Sequence, residues 1–202
     1  MKIICIGQNY TKHIKELNSA IPTVPVFFMK PDTALITDNK PFYYPDFSKD
    51  LHYEVELVIK ISKNGKNIAV DFAHSYYNEI GIGIDFTARD LQNKCKDKGL
   101  PWEIAKAFDG SAPIGNFISK TELKENSINF SLKVNDKQVQ SGNSNDMIFS
   151  FNKIISYVSS FVSLRQGDLI YTGTPEGVGP VKAGDKLEAF LNGKKMLEFE
   201  VK

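Results

Sequence analysis

Three acids set in two hydrophobic stretches carry the strongest chemical signal in the chain. Along His52-Tyr53-Glu54-Val55-Glu56-Leu57-Val58-Ile59-Lys60-Ile61, strand alternation puts Tyr53, Val55, Leu57, Ile59 and Ile61 on one face and His52, Glu54 and Glu56 on the other. Two carboxylates on one face repel each other unless water or a cation intervenes. A solvated strand face is the ordinary explanation of a lone Glu-x-Glu. Asp85 changes the balance, because it lies in Gly81-Ile82-Gly83-Ile84-Asp85-Phe86, whose other members favour burial. A carboxylate there must be paired, hydrogen-bonded or bound to a metal. It could also sit at an exposed strand end, or pair with Arg89. Three carboxylates without a nearby cysteine favour a hard cation, magnesium or manganese ahead of calcium, completed by water and substrate oxygens.

A second group could move protons. His13 and Glu16 lie three apart on a predicted helix, so both project from one side. A carboxylate beside an imidazole orients it and raises its basicity, as a general base needs; a surface pair on a lysine-rich helix has the same spacing. His74 has no comparable partner and reads as structural or exposed. Lys106, in Trp102-Glu103-Ile104-Ala105-Lys106-Ala107-Phe108, could snorkel to the surface or bind a substrate carboxylate. Thr172-Gly173-Thr174-Pro175-Glu176-Gly177-Val178-Gly179-Pro180 lacks the Gly-Lys-Ser/Thr ending of a phosphate loop, and Gly81-x-Gly83 lacks the third glycine of a dinucleotide fingerprint. The glycine-rich turn remains either a surface turn or a backbone cradle for a small anion.

The elements that must position these residues are mostly short strands. Lys2–Ile6, Pro25–Lys30 (aromatic-rich and suited to burial), His52–Ser62, Gly81–Ala88 and Asp168–Thr172 read as strands. Asn129–Val134 and Lys137–Gln140 flank a two-residue turn at Asn135-Asp136, and Lys186–Leu191 and Met196–Val201 are joined through Asn192-Gly193. Helices are expected over Tyr10–Asn18 and Arg89–Lys98. A longer one is expected over Met147–Val162, where Ile148, Phe151, Ile154, Ile155, Val158 and Phe161 recur at helical spacing. The pattern predicts a mixed, mainly β (α+β) fold, a β-roll or distorted barrel with a few helices, rather than a βαβ sheet.

With 202 residues, 42% hydrophobic and 24% charged, the sequence fits one domain over 1–202 with a substantial core. A net charge of +1 gives no global field for nucleic acid. No stretch approaches the roughly 20 apolar residues of a membrane span, and Ile3-Ile4-Cys5-Ile6 is too short for a signal-peptide core. Cys5 and Cys95 are isolated, giving neither a zinc motif nor a disulfide framework. The expectation is a cytoplasmic protein that binds neither nucleic acid nor membrane.

Several of these segments occur together in a recognisable order. Gly7-x-Asn9-Tyr10-x-x-His13-x-x-Glu16, Phe28-Met29-Lys30-Pro31 and His52-x-Glu54-x-Glu56-Leu57 are followed by Asp85-Phe86-Thr87-Ala88-Arg89-Asp90-Leu91-Gln92, Lys98-Gly99-Leu100-Pro101-Trp102, Ala105-Lys106 and the turn at 172–180. In this the chain resembles the fumarylacetoacetate hydrolase superfamily over essentially its whole length, closest to the small single-domain branch of acylpyruvases and oxaloacetate decarboxylases. The resemblance implies a β-roll fold, a homodimer, and magnesium or manganese held by Glu54, Glu56 and Asp85. It also implies a water-activating dyad of His13 and Glu16 on a segment that closes over substrate, with Lys106, Arg89, Gln92 and Thr174 lining the pocket for a small 2-oxo acid. The implied reaction is hydrolysis of the carbon–carbon bond of an acylpyruvate-type 2,4-dioxo acid through a cation-stabilised pyruvate enolate. Oxaloacetate decarboxylation, tautomerisation of oxaloacetate or of catabolic dienoic dicarboxylates, and a carboxylate-binding protein without turnover are the alternatives. The dyad favours hydrolysis. Gln8 departs from the pattern, since relatives commonly carry a basic residue there, and Asp32 is acidic where close relatives often have a small or neutral one.

Overall fold

A computed structural model describes residues 1–16, 20–123 and 127–202. Its main sheet has six strands in the order Val26–Lys30, Ile3–Gly7, Leu169–Tyr171, Val55–Ile61, Tyr77–Ile84 and Ile118–Ser119. Ile3–Gly7 runs parallel to Leu169–Tyr171, and the other pairings are antiparallel. A four-stranded sheet, ordered Lys137–Asn143, Asn129–Val134, Lys186–Leu191 and Lys194–Glu200, packs against it. A three-stranded sheet of Gly179–Pro180, Leu51–Tyr53 and Thr87–Ala88 and the pair Leu35–Ile36 with Ala112–Pro113 complete the β structure. The fold is thus mainly β with few helices, and its described sheets do not close into a barrel.

Both expected hairpins form. Asn135 and Asp136 take φ of 50° and 66°, and Asn192 and Gly193 take 46° and 78°, the left-handed pair that matches strand twist in a tight turn. Helix Arg89–Lys98 has the predicted limits and ends on Gly99 at φ 63°. The helix expected from Met147 begins only at Phe151, capped by the Ser150 hydroxyl. The reason lies at the N-terminus of the chain. Asn9 O accepts from Ile148 N (2.9 Å) and Asn9 Oδ1 from Phe149 N (2.7 Å), while its Nδ2 donates to Phe149 O and Thr172 O. That clamp holds residues 148–149 in a non-helical bend before the helix can start. The first helix spans Thr11–Glu16; the end expected at Leu17 and Asn18 lies outside the described residues.

The strand expected over His52–Ser62 divides at Glu54 into Leu51–Tyr53 and Val55–Ile61. Its apolar face enters the main core with Ile82, Ile84, Leu132 and Leu187. The opposite face is covered as well, with Val58 packed among Ile3, Cys5, Leu169 and Tyr171. Glu54 and Glu56 therefore cannot be a solvated strand face. Val26–Lys30, expected to be buried, is instead an edge strand that buries only Lys30.

Candidate active site

Strand register brings the three acids together. Val55 pairs with Ile84 and Glu56 with Gly83, so the next position places Asp85 across from Glu54, and Asp85 N donates to Glu54 O at 2.8 Å. Residues directly opposite in an antiparallel pair share a face. Glu54, Glu56 and Asp85 are 5%, 2% and 1% exposed, and each offers a carboxylate oxygen within 4.8 Å of the others.

Two lysines and an arginine hold this charge. Lys106 Nζ donates to Glu54 Oε2 and Asp85 Oδ2, both at 2.8 Å. Arg89 Nη2 donates to Glu54 Oε1 at 2.6 Å and Nη1 to Gln92 Oε1 at 2.6 Å. Lys30 Nζ lies 2.8 Å from Asp85 Oδ1 and donates to Phe86 O, Lys106 O and the Ser111 carbonyl and hydroxyl. The Lys30–Asp85 contact is an ion pair off the hydrogen-bonding direction, so Asp85 Oδ1 has no directed donor. Asp85 is thus paired, but with the lysines; Arg89 goes to Glu54. Lys106 is buried at 3% exposure and does not snorkel.

Neighbours give the acids different proton affinities. Burial alone would raise Glu54, but Lys106 and Arg89 hold it far below the usual carboxylate range. Among the described residues, Glu56 meets no cationic side chain directly. Burial first, then Asp85 and Glu54, raise it well above its ordinary value, and only the Gly173 N–H, 2.8 Å from Oε2, and Lys106 work against that. Three oxygen donors around one point, one acid short of positive charge and one lone acceptor on Asp85 fit a hard divalent ion.

The second group also assembles. His13 Nδ1 is 3.0 Å from Glu16 Oε2. A carboxylate only accepts, so Nδ1 carries the proton and the Nε2 lone pair is left for chemistry. Glu16 is in turn held by Gly177 N, at 3.1 and 3.3 Å from its two oxygens. The glycine-rich turn thus serves both groups, through Gly173 to Glu56 and Gly177 to Glu16. Its backbone requires this: Gly173 has φ 100°, and a Cβ there would lie 2.6 Å from Asn9 Cβ. Thr174 Oγ1 accepts from Gln140 Nε2 at 2.9 Å. Gln140 Oε1 accepts from Val55 N between the two glutamates, and its Nε2 also reaches Pro175 O. His74 is exposed and contacts Asp71 O.

Sequence reasoning gave no role to Lys30, Gln140 or Asn9. The available signals were a lysine closing an aromatic strand, a glutamine within a hairpin strand and an asparagine after a Gly-x pair. None of these distinguishes a buried clamp from a surface side chain.

Comparison with known proteins places this architecture. The family model for the fumarylacetoacetate (FAA) hydrolase C-terminal domain matches residues 2–202. The chain belongs to that family. It is 43% identical over 201 residues to the mitochondrial oxaloacetate tautomerase of Mus musculus, covering 99% of this chain and 91% of the relative. It is 42% identical over 194 residues to an oxaloacetate tautomerase of Escherichia coli, covering 95% and 89%. The crystal structure of fumarylpyruvate hydrolase from Pseudomonas aeruginosa in complex with Mn2+ and pyruvate superimposes with a TM-score of 0.94 at 36% identity, covering 100% of this chain and 89% of that one. Among the described residues, no helix is long and apolar enough to cross a membrane.

Proposed function

We propose that this chain is a magnesium- or manganese-dependent enzyme, one catalytic domain over 1–202, that moves a proton at C3 of a small 2-oxo dicarboxylic acid, with keto–enol tautomerisation of oxaloacetate as its reaction. The observation that carries this is the buried Glu54–Glu56–Asp85 cluster, tied through one glycine-rich turn to an imidazole whose tautomer is fixed by Glu16. The resemblance to oxaloacetate tautomerases supports the choice of reaction over the hydrolysis that the dyad alone favoured. Glu54, Glu56 and Asp85 would hold the cation, which when bound supplies positive charge to the 2-oxygen as C3 is deprotonated.

The chain's own groups do the rest. His13 Nε2 takes the C3 proton, Glu16 stabilises the imidazolium that forms, and the same nitrogen returns the proton to oxygen. Lys30, Lys106 and Arg89 already balance the three acids. A divalent ion therefore leaves an excess of two positive charges, which a dianion such as oxaloacetate neutralises. A second reading, hydrolysis of an acylpyruvate by a water that His13 deprotonates, is favoured by the same dyad and by the fumarylpyruvate hydrolase neighbour. Homodimer assembly and a cytoplasmic location belong to the proposal on the resemblance, and are checked by light scattering and fractionation.

The test follows enol-oxaloacetate by ultraviolet absorbance, and pyruvate from oxaloacetate and acetylpyruvate by a coupled assay, with magnesium, manganese or chelator. Tautomerisation should need the metal and fall about a hundredfold in Glu16→Gln at constant metal affinity. Decarboxylation needs no base, so a variant that loses only acetylpyruvate cleavage would select hydrolysis. Full turnover after thorough metal removal would refute both readings.

A further inference from the structure

Helix Arg89–Lys98 directs Arg89 and Gln92 to the acid cluster, and Lys96, seven residues beyond Arg89, returns to the same side of the helix. Its Nζ lies 5.7 Å from the centre of the Trp102 ring. Trp102 packs against Phe28 with centroids 6.0 Å apart, and Phe28 lies under Lys106 Nζ at 5.1 Å. The two aromatic side chains thus connect the cation at the cluster to a second cation at the protein surface. Lys96 is exposed and reachable, and no carboxylate among the described residues pairs with it, in contrast to Lys106, which holds two.

We propose that Lys96 is a specificity residue whose ammonium binds the far carboxylate of an extended 2-oxo dicarboxylic acid, one longer than four carbons, while the 2-oxo acid end meets the cation that Glu54, Glu56 and Asp85 would hold. This rests on the 2-oxo acid reading above. The ammonium stands in an unbalanced positive field: desolvation first, then Arg89, lower its pKa, Glu54 offsets this only in part, and Lys106 adds to it. An anion is the partner such a site lacks. Phe28 and Trp102 offer the apolar surface along which the methylene or vinyl carbons between the two carboxylates can lie. Reaching past two rings to Lys96 asks for more chain than oxaloacetate, with its carboxylates close together, provides.

Calorimetric binding of 2-oxoadipate and of 2-oxohexanoate to the manganese-loaded protein tests this, because the two ligands share chain length and differ in the far charge. The wild type should prefer 2-oxoadipate, and Lys96→Met, which keeps an apolar stem on Trp102, should reduce that preference about five- to tenfold, as expected for one charge-assisted hydrogen bond. Lys96→Arg should keep most of it. If Lys96→Met retains the preference, or weakens both ligands equally, the assignment to Lys96 is overturned while the 2-oxo acid site stands. If the wild type binds oxaloacetate but neither six-carbon ligand, the extended-substrate assignment is overturned while the 2-oxo acid reading stands; if it binds none of the three, that reading fails as well.

Discussion

Asp85 and Glu56 share a cluster, but their surroundings predict opposite responses to neutralisation. Asp85 is flanked by Lys30 and Lys106, each at 2.8 Å; removing its charge leaves two buried ammonium groups under-compensated. In metal-free protein, Asp85→Asn should lower unfolding stability by about 3–5 kcal/mol, the usual effect of breaking a buried ion pair. Glu56 has no such partner among the described residues and is disfavoured as an anion, and an amide oxygen can still accept from Gly173 N. Glu56→Gln should therefore stay within about 1 kcal/mol of wild type, while abolishing metal binding as fully as Asp85→Asn does. The folded state holds the Glu56 proton more tightly than the unfolded chain, so this group makes metal-free stability fall as pH rises above the ordinary carboxylate range. The variant should remove that slope. Urea denaturation in chelator at several pH values measures both effects, and an equal loss in the two variants would contradict the picture. The acids were legible in the sequence because alternation fixes who shares a face. Their counter-ions were not: a lysine among apolar neighbours looks the same whether it snorkels or pairs with an acid dozens of residues away, as Lys106 does with Glu54 and Asp85.

The dyad depends on two elements that never adjoin in sequence, helix Thr11–Glu16 and the turn containing Gly177. Gly177 has φ 93°, and a Cβ there would come within 2.4 Å of Val139 O. Gly177→Ala must shift the turn, at about 1–3 kcal/mol, and carry the anchor of Glu16 with it. Turnover should fall as in Glu16→Gln, but with a lowered unfolding midpoint that Glu16→Gln does not show. Normal activity in Gly177→Ala would mean that the turn does not orient the dyad. The spacing of His13 and Glu16 announced the pair, whereas the Gly177 contact is a long-range backbone bond that no local pattern encodes. The same limit explains the boundaries that moved. Helical periodicity ran back to Ile148, but Asn9 takes the backbone of residues 148–149. The strand alternation ran through Glu54, yet the strand divides there and its two parts join different sheets.

Across the whole molecule, the cluster joins segments that are distant in the chain: Lys30 on an edge strand, Glu54 just before and Glu56 within a central one, Asp85 beyond the next, Lys106 at the end of the short helix Glu103–Lys106 and Gly173 on the turn. An ion bound there couples to unfolding of the fold as a unit rather than to one loop. At a hundredfold excess over its dissociation constant, a ligand specific to the native state adds about 2.7 kcal/mol. For a domain of this size that corresponds to a rise in melting temperature of about 5–10 °C. Manganese or magnesium should produce the shift and calcium a smaller one, because the three acids lie close together and offer few further oxygens. The protein contains one tryptophan, Trp102, packed on Phe28 next to Lys106, so its fluorescence reports on the site while far-ultraviolet circular dichroism reports on the sheets. Both transitions should move together on adding the ion. A shift confined to the Trp102 signal would show that the ion orders only the rim of the site, and that the acids do not act as the joint through which the sheets are held.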